Sequence, residues 1–196
     1  MTAHIYYSEI YRRLEALMEV RDTVKVAIDG CCGSGKSTLA AVIGDAYDCN
    51  IFHMDHFFLV PELRTKERLR EIGGNVDYVR FRKEVLEGIK SGQKFSYSIY
   101  DCKKRAMSEK IAVLPKKLSI IEGAYSMHPT LVDDYDLKIF LKIGEEEQME
   151  RIRRRNGEEM LKLFMTQWIP LENAYFDRMG IEEKSDLTFT TNHFFP

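Results

Sequence analysis

The chain has 196 residues, 44% of them hydrophobic and 31% charged, with a formal net charge of −2. That supports one sheet-and-helix core, here expected to span residues 1–196, and the charge balance lacks the positive excess that would point to nucleic acid. No apolar run approaches the ~18 residues of a membrane span and no charged-then-apolar leader opens the chain, so a cytoplasmic protein with no membrane partner is expected.

Residues 5–20 place Ile5, Ile10, Leu14, Leu17 and Met18 at helical spacing against Glu9, Arg12, Arg13 and Glu15. This predicts a covering helix, and leaves any homo-oligomer open. Val24, Val26, Ala27 and Ile28 read as a buried strand, and residues 37–43 as a helix. Between them, Gly30, Gly35, Lys36 and Ser37 fit G-x-x-x-x-G-K-[ST], the Walker A phosphate loop. Gly30, Gly33 and Gly35 can adopt the backbone angles that turn successive N–H groups inward around an anion. Lys36 supplies a point charge for the β and γ phosphates, Ser37 offers a hydroxyl to Mg²⁺, and the helix N-terminus favours the same negative charge. The expected nucleotide contacts are Gly30, Gly33, Ser34, Gly35, Lys36, Ser37 and Thr38.

Cys31, Cys32, Cys49 and Cys102 show no C-x-x-C spacing, so neither a zinc site nor a disulfide framework is expected. Cys31 and Cys32 are read as small loop residues, against the alternative of thiolates activated by the helix N-terminus and a lysine.

Residues 50–54 form a short predicted strand that delivers Asp55 at its C-terminal end, where open α/β sheets bind ligands. Asp55 can serve a substrate hydroxyl or the metal there, or simply cap a helix. His53 and His56 lack a third ligand nearby, which argues against a metal pair. The doubly charged segment 61–71 reads as a solvated helix or flap. Asp77 precedes a helical run over 79–89, and can cap it or face a ligand. A strand over 95–100 then runs into a basic loop, Lys103-Lys104-Arg105.

A second hydrophobic strand, 117–121, ends in Glu122, where P-loop proteins place a metal-organising acid. After a strand over 137–143, a helix over 145–155 carries Arg151, Arg153, Arg154 and Arg155 near its end. These arginines suit either a helix dipole or a clamp on a transferring phosphoryl group, and the second reading is preferred because of the phosphate loop. A long helix over 160–177, interrupted at Pro170, and a strand over 187–190 complete the chain.

With these residues in view, the chain resembles the phosphoribulokinase/uridine kinase family of P-loop kinases, closest in layout to uridine kinases, over residues 25–189. The likeness rests on DGCCGSGKSTLA, on MDHFF at 54–58, NVD at 75–77 and YD at 100–101. IIEGAYS at 120–126, the arginine-rich helix and Trp168-Ile169-Pro170 complete it. It implies a P-loop NTPase three-layer α/β/α sandwich with a mostly parallel sheet and a short arginine-rich lid over 145–160. It further implies transfer of the γ phosphate of ATP, with Mg²⁺, to a small-molecule hydroxyl such as that of uridine or cytidine. In that frame Asp55 is the base and lies near the metal, Lys36 and Arg151, Arg154 and Arg155 balance charge, and Ser37 and Glu122 organise Mg²⁺. Asp77 holds ribose hydroxyls and Tyr100 contacts the base.

The pattern departs at the base pocket, where Val76 replaces an aromatic and Lys103-Lys104-Arg105 stands where uridine kinases carry a histidine. Arg105 is therefore a substrate-contact candidate for a smaller or more anionic acceptor, or part of a solvated charge run. A GTP-dependent switch would need an N-K-x-D segment, which the sequence lacks. A scaffold that binds nucleotide without turnover is disfavoured by the intact Lys36, Ser37, Asp55 and Glu122.

Overall fold

A computed structural model describes residues 3–192, with side chains from Tyr7 onward. Ile5, assigned above to the apolar face of the first helix, has its side chain outside the described residues. Strands β1 (Val24–Gly30), β2 (Cys49–His53), β5 (Leu118–Glu122), β6 (Leu137–Lys142) and β7 (Leu187–Thr190) form one sheet in the order β2-β5-β1-β6-β7. Every neighbouring pair in it is parallel. Such a sheet must be covered on both faces, and its central strands read accordingly as nearly unbroken apolar runs. All five residues of β5 are buried.

Alternation along β1 divides the core. Val24, Val26 and Ile28 face a layer built from α1 (Ala3–Val20), through Tyr7, Ile10 and Leu14, and α2 (Lys36–Ala46), through Leu39, Ala40 and Ile43. Ala27 faces the opposite layer, where Phe52, Phe81, Val85, Tyr175 and Phe176 meet. Each of the larger aliphatic or aromatic side chains among these contributes about 1.5–3 kcal/mol on burial. Two helical segments supply that second layer. One runs without a break from Tyr78 to Ser91, with a π-helical turn, Arg82–Leu86, between α4 (Tyr78–Phe81) and α5 (Glu87–Ser91). The other is α8 (Ile169–Met179).

Register places the site. Ile28 of β1 and His53 of β2 both lie opposite Glu122 of β5, so the carboxyl ends of three strands finish level. The phosphate loop, the residues after β2 and Glu122 all emerge at that edge. The alternation that buries Ile28 on one face turns Asp29 to the other, where it is fully buried. Asp29 accepts hydrogen bonds from the Gly30 amide at 2.7 Å, the Met127 amide at 2.9 Å and the Tyr175 hydroxyl at 2.8 Å. Burial raises its pKa, and these three donors oppose the rise.

Three differences from the sequence reading have plain causes. The basic loop after β3 (Phe95–Asp101) is the turn of a hairpin whose return strand is β4 (Ala106–Val113), paired antiparallel to β3 in a separate two-stranded sheet. Six of β4's eight residues are exposed and none but Val113 is buried, so no alternating pattern announces it. The segment 61–71 splits into a 3₁₀ turn, Pro61–Leu63, and a short helix α3 (Lys66–Arg70), capped by the Thr65 hydroxyl. Pro170 does not end the helix, which runs unbroken from Glu158 to Met179; the irregularity expected there appears as the π-helical turn Phe164–Trp168 just before the proline, whose missing N–H cannot join the regular ladder.

His128, in the loop after β5, gives the fold a pH dependence. It stacks on Tyr78 with ring centroids 4.2 Å apart and pairs through Nδ1 with the Thr130 hydroxyl at 2.9 Å. Burial pushes its pKa down from 6.5 to about 4. The folded value lies below the unfolded one, so stability is fully present above the unfolded pKa and is lost as pH falls from 6.5 towards 4. The loss is at most about 3 kcal/mol. Urea unfolding across that range should show wild type losing stability with falling pH more steeply than His128→Gln; equal slopes would contradict this account of His128.

Candidate functional site

The phosphate loop leaves β1 at Gly30, whose φ of 138° no other residue adopts without strain. A Cβ there would lie 2.1 Å from the Leu141 carbonyl oxygen of β6. Gly33 and Gly35 also have positive φ, 76° and 92°, which turns the loop into the N-terminus of α2. Lys36 folds back over the loop, its ammonium donating to the carbonyls of Gly30 at 2.7 Å and Cys31 at 3.0 Å.

Side chains from two later helices grip the loop from outside. Glu172 of α8 accepts from the Cys32 amide at 2.9 Å, and Gln148 of α6 (Glu145–Asn156) donates to the Cys32 carbonyl at 2.9 Å. Arg151, also of α6, reaches the Gly33 carbonyl at 3.3 Å and the Thr191 carbonyl beyond β7 at 2.8 Å, while Glu147 holds its Nε at 2.9 Å. Burial raises the pKa of the Glu172 carboxyl against the pull of Lys36. Burial also pushes both loop thiols, Cys31 and Cys32, upward. An activated thiolate there is therefore not what this environment favours, and the reading as small loop residues fits.

At the end of β5, the Ser37 hydroxyl lies 3.1 Å from both oxygens of Glu122. His53 approaches the same carboxylate through Nδ1 at 2.5 Å, and that bond is the first cause of its raised pKa. His53 is thus a partner of the acid. Among the described residues no cluster of three His, Cys, Asp or Glu could hold a metal ion. Asp55 follows in a 3₁₀ turn, Met54–Phe57, exposed and without a side-chain hydrogen bond or ion pair among the described residues.

These groups share one cleft of about 1200 Å³. Gly33, Gly35, Lys36, Ser37, Thr38, Asp55, Glu122, Arg105, Arg151, Arg154 and Arg155 from the sequence reading all line it. Ser34 is fully buried beneath the loop. Arg153 turns away to Glu150 and Glu158. Arg154 and Arg155 approach the cleft opposite Phe164 and Trp168 of the π-helical turn, with α7 (Glu158–Leu163) between.

Two expected substrate contacts are used elsewhere. Asp77 caps the helix after it, accepting from the Arg80 amide at 3.0 Å, with the Arg80 guanidinium 3.6 Å away. Tyr100 is 2% exposed and its hydroxyl meets Arg64 at 3.4 Å. Neither lines the cleft. Val76 is a core residue paired across from Phe58, so its identity bears on packing rather than on the cleft wall. Lys103 and Lys104 stand exposed on the hairpin turn.

The sequence reading assigns no site role to Glu172, Arg64, Asn75, Cys102 or Tyr125, although Asn75 and Tyr125 lie in the NVD and IIEGAYS motifs, and all five line the cleft. Tyr125 is buried with φ 71°; among the described residues it and Arg105 are the two non-glycine residues in the left-handed region. Both of these border the cleft, and such strain persists only where the surroundings impose it.

No family model matches the chain. Among solved structures it is similar to a candidate fructose transport system kinase from Silicibacter sp. TM1040, with a TM-score of 0.70 and 23% identity over 96% of this chain and 99% of that one. It is also similar to a candidate uridine kinase from Bacillus stearothermophilus, TM-score 0.67 and 17% identity over 92% of this chain and 99% of the other. YFH7 of Saccharomyces cerevisiae, described as a candidate P-loop kinase with a circular permutation, gives 0.64 and 13% over 97% and 99%. At these identities the likeness establishes architecture, and the chain has the P-loop kinase fold, a parallel α/β sheet covered by helices on both faces.

Proposed function

We propose that this protein is a small-molecule kinase that moves the γ phosphate of ATP to a hydroxyl of its acceptor. The observation that carries the reading is the meeting, in one cleft, of the phosphate loop with Lys36, the Ser37–Glu122 pair and the unengaged carboxylate of Asp55. Phosphoryl transfer asks the protein for positioning and charge balance more than covalent chemistry, and each of these groups has a separable part in that.

The loop amides and the N-terminus of α2 bind the triphosphate, and Lys36 exchanges its two carbonyl partners for phosphate oxygens. Glu172, Gln148 and Arg151 hold the loop in shape from behind. Arg154 and Arg155 are the remaining lid cations lining the cleft; Arg155 donates to Asn156 Oδ1 at 2.7 Å, and neither has a carboxylate partner among the described residues, so both would balance charge as it spreads over the transferred group. Asp55 accepts the proton of the acceptor hydroxyl.

Ser37 and Glu122 fit Mg²⁺: one hydroxyl and one carboxylate are the hard oxygen donors it takes from a protein, the rest coming from phosphates and water. When bound there, the ion would neutralise phosphate charge. His53 orients Glu122 for that duty.

Uridine and cytidine remain acceptors to assay, but Asp77 and Tyr100 are occupied in structural contacts, which supports an acceptor recognised differently. ADP release should be followed over nucleosides, hydroxy acids and sugar phosphates. Asp55→Asn should lower acceptor-dependent kcat about 10²–10⁴-fold while ATP affinity stays within about twofold. Equal turnover in the variant would remove Asp55 as the base.

A further inference from the structure

The cleft has a second pole that phosphate-loop chemistry leaves unused. Beyond Asp55 its wall is made by Phe58, Arg64, Leu69, Asn75, Cys102 and Arg105. Two of these six are arginines, and neither has a carboxylate partner among the described residues. Arg64 follows the 3₁₀ turn at Pro61–Leu63, and its Nε donates to the Leu59 carbonyl at 2.9 Å. One edge of its guanidinium reaches the Tyr100 hydroxyl at 3.4 Å, and the group lies 5.8 Å from the centre of that ring. The head group is thus oriented by neutral partners. Arg105 comes from the hairpin turn between β3 and β4, with φ 52°.

The nearby acids are spoken for. Asp101 accepts from the amides of Lys103 at 2.8 Å and Lys104 at 3.0 Å and lies 3.7 Å from the Lys104 ammonium. Glu71 pairs with Arg68 at 2.7 Å. Among the described residues Asp55 is the one carboxylate lining this end, and the preceding reading assigns it to the acceptor hydroxyl. Cys102, on the same turn as Arg105, lines the cleft together with Arg64 and Asp55.

Resting on the kinase reading above, we propose that the acceptor is an anionic hydroxy compound whose carboxylate or phosphate group is held by Arg64 and Arg105 while its hydroxyl faces Asp55. A guanidinium offers a planar fork of donors matched to either group. A neutral nucleoside would fill the same wall and leave two cations facing uncharged atoms. The other residues of this wall, Phe58, Leu69 and Asn75, offer two apolar faces and one amide to the carbon skeleton between the anion and the hydroxyl.

The test uses the full chain saturated with AMP-PNP and Mg²⁺, so that the phosphate loop is filled, at fixed ionic strength. Inorganic phosphate and acetate are titrated separately by calorimetry. At least one should bind to wild type, and the tighter of the two names the anionic group. Arg105→Gln, on an exposed turn, and Arg64→Gln should each weaken that anion about tenfold with AMP-PNP affinity unchanged. Failure of both anions to bind wild type, or equal binding by the variants, overturns the proposal. The nucleotide titration is read on its own: absence of AMP-PNP binding sinks the kinase reading and this one with it, whereas AMP-PNP binding without anion binding sinks only the anionic acceptor.

Discussion

An anion nest consists of backbone N–H groups kept without protein partners, so the loop that bears them holds its shape only if everything else on it is tied down. In this chain the ties come from far away in sequence. Gly30 lies against the Leu141 backbone of the neighbouring strand, at a separation no Cβ would permit. Glu172 and Gln148 hold the two sides of Cys32, and Arg151 joins Gly33 to the residue after β7. The sheet, α6 and α8 are thereby committed to the geometry of a few loop residues.

The buried carboxylates belong to the same constraint. Asp29 links the loop's first residue to the Met127 amide and the Tyr175 hydroxyl, so the end of β1, the segment after β5 and α8 are tied to one carboxylate. Desolvating such a group is costly, and three donors offset that cost only while all three elements stay in place. Glu172 repeats the device one turn away on the loop. Both acids lie near Lys36, whose charge acts on each of them. On the kinase reading proposed here, a bound triphosphate would add negative charge to a site that already holds two buried carboxyls near one lysine, and the further cations at the rim, Arg154 and Arg155, would offset it.

How much of this was legible follows from which residues carry local signals. The phosphate loop, β1, β5, β6 and α2 announce themselves because a buried parallel strand is a continuous apolar run and the glycines answer to backbone angles rather than to context. Asp55 and Glu122 could be placed because a strand end is a topological position. β4 could not, being exposed on both faces. Asp77 reads as either a helix cap or a ligand contact, with the family resemblance favouring the second, and local hydrogen bonding shows the cap. Tyr100 points into packing that its neighbours in sequence do not reveal. Arg64, Asn75, Tyr125 and Glu172 reach the cleft from segments whose own patterns describe surface, turn or helix; tertiary folding alone brings them together.

The claim on which the account turns is that this cleft binds a metal-bound nucleoside triphosphate through the phosphate loop. Equilibrium titration with ATP, with and without Mg²⁺, of wild type and Lys36→Ala tests it most directly. The account predicts binding to wild type that tightens with Mg²⁺ and falls at least about tenfold in the variant, the worth of one charge-assisted contact. Equal ATP affinity in the two proteins, with no response to Mg²⁺, would contradict it.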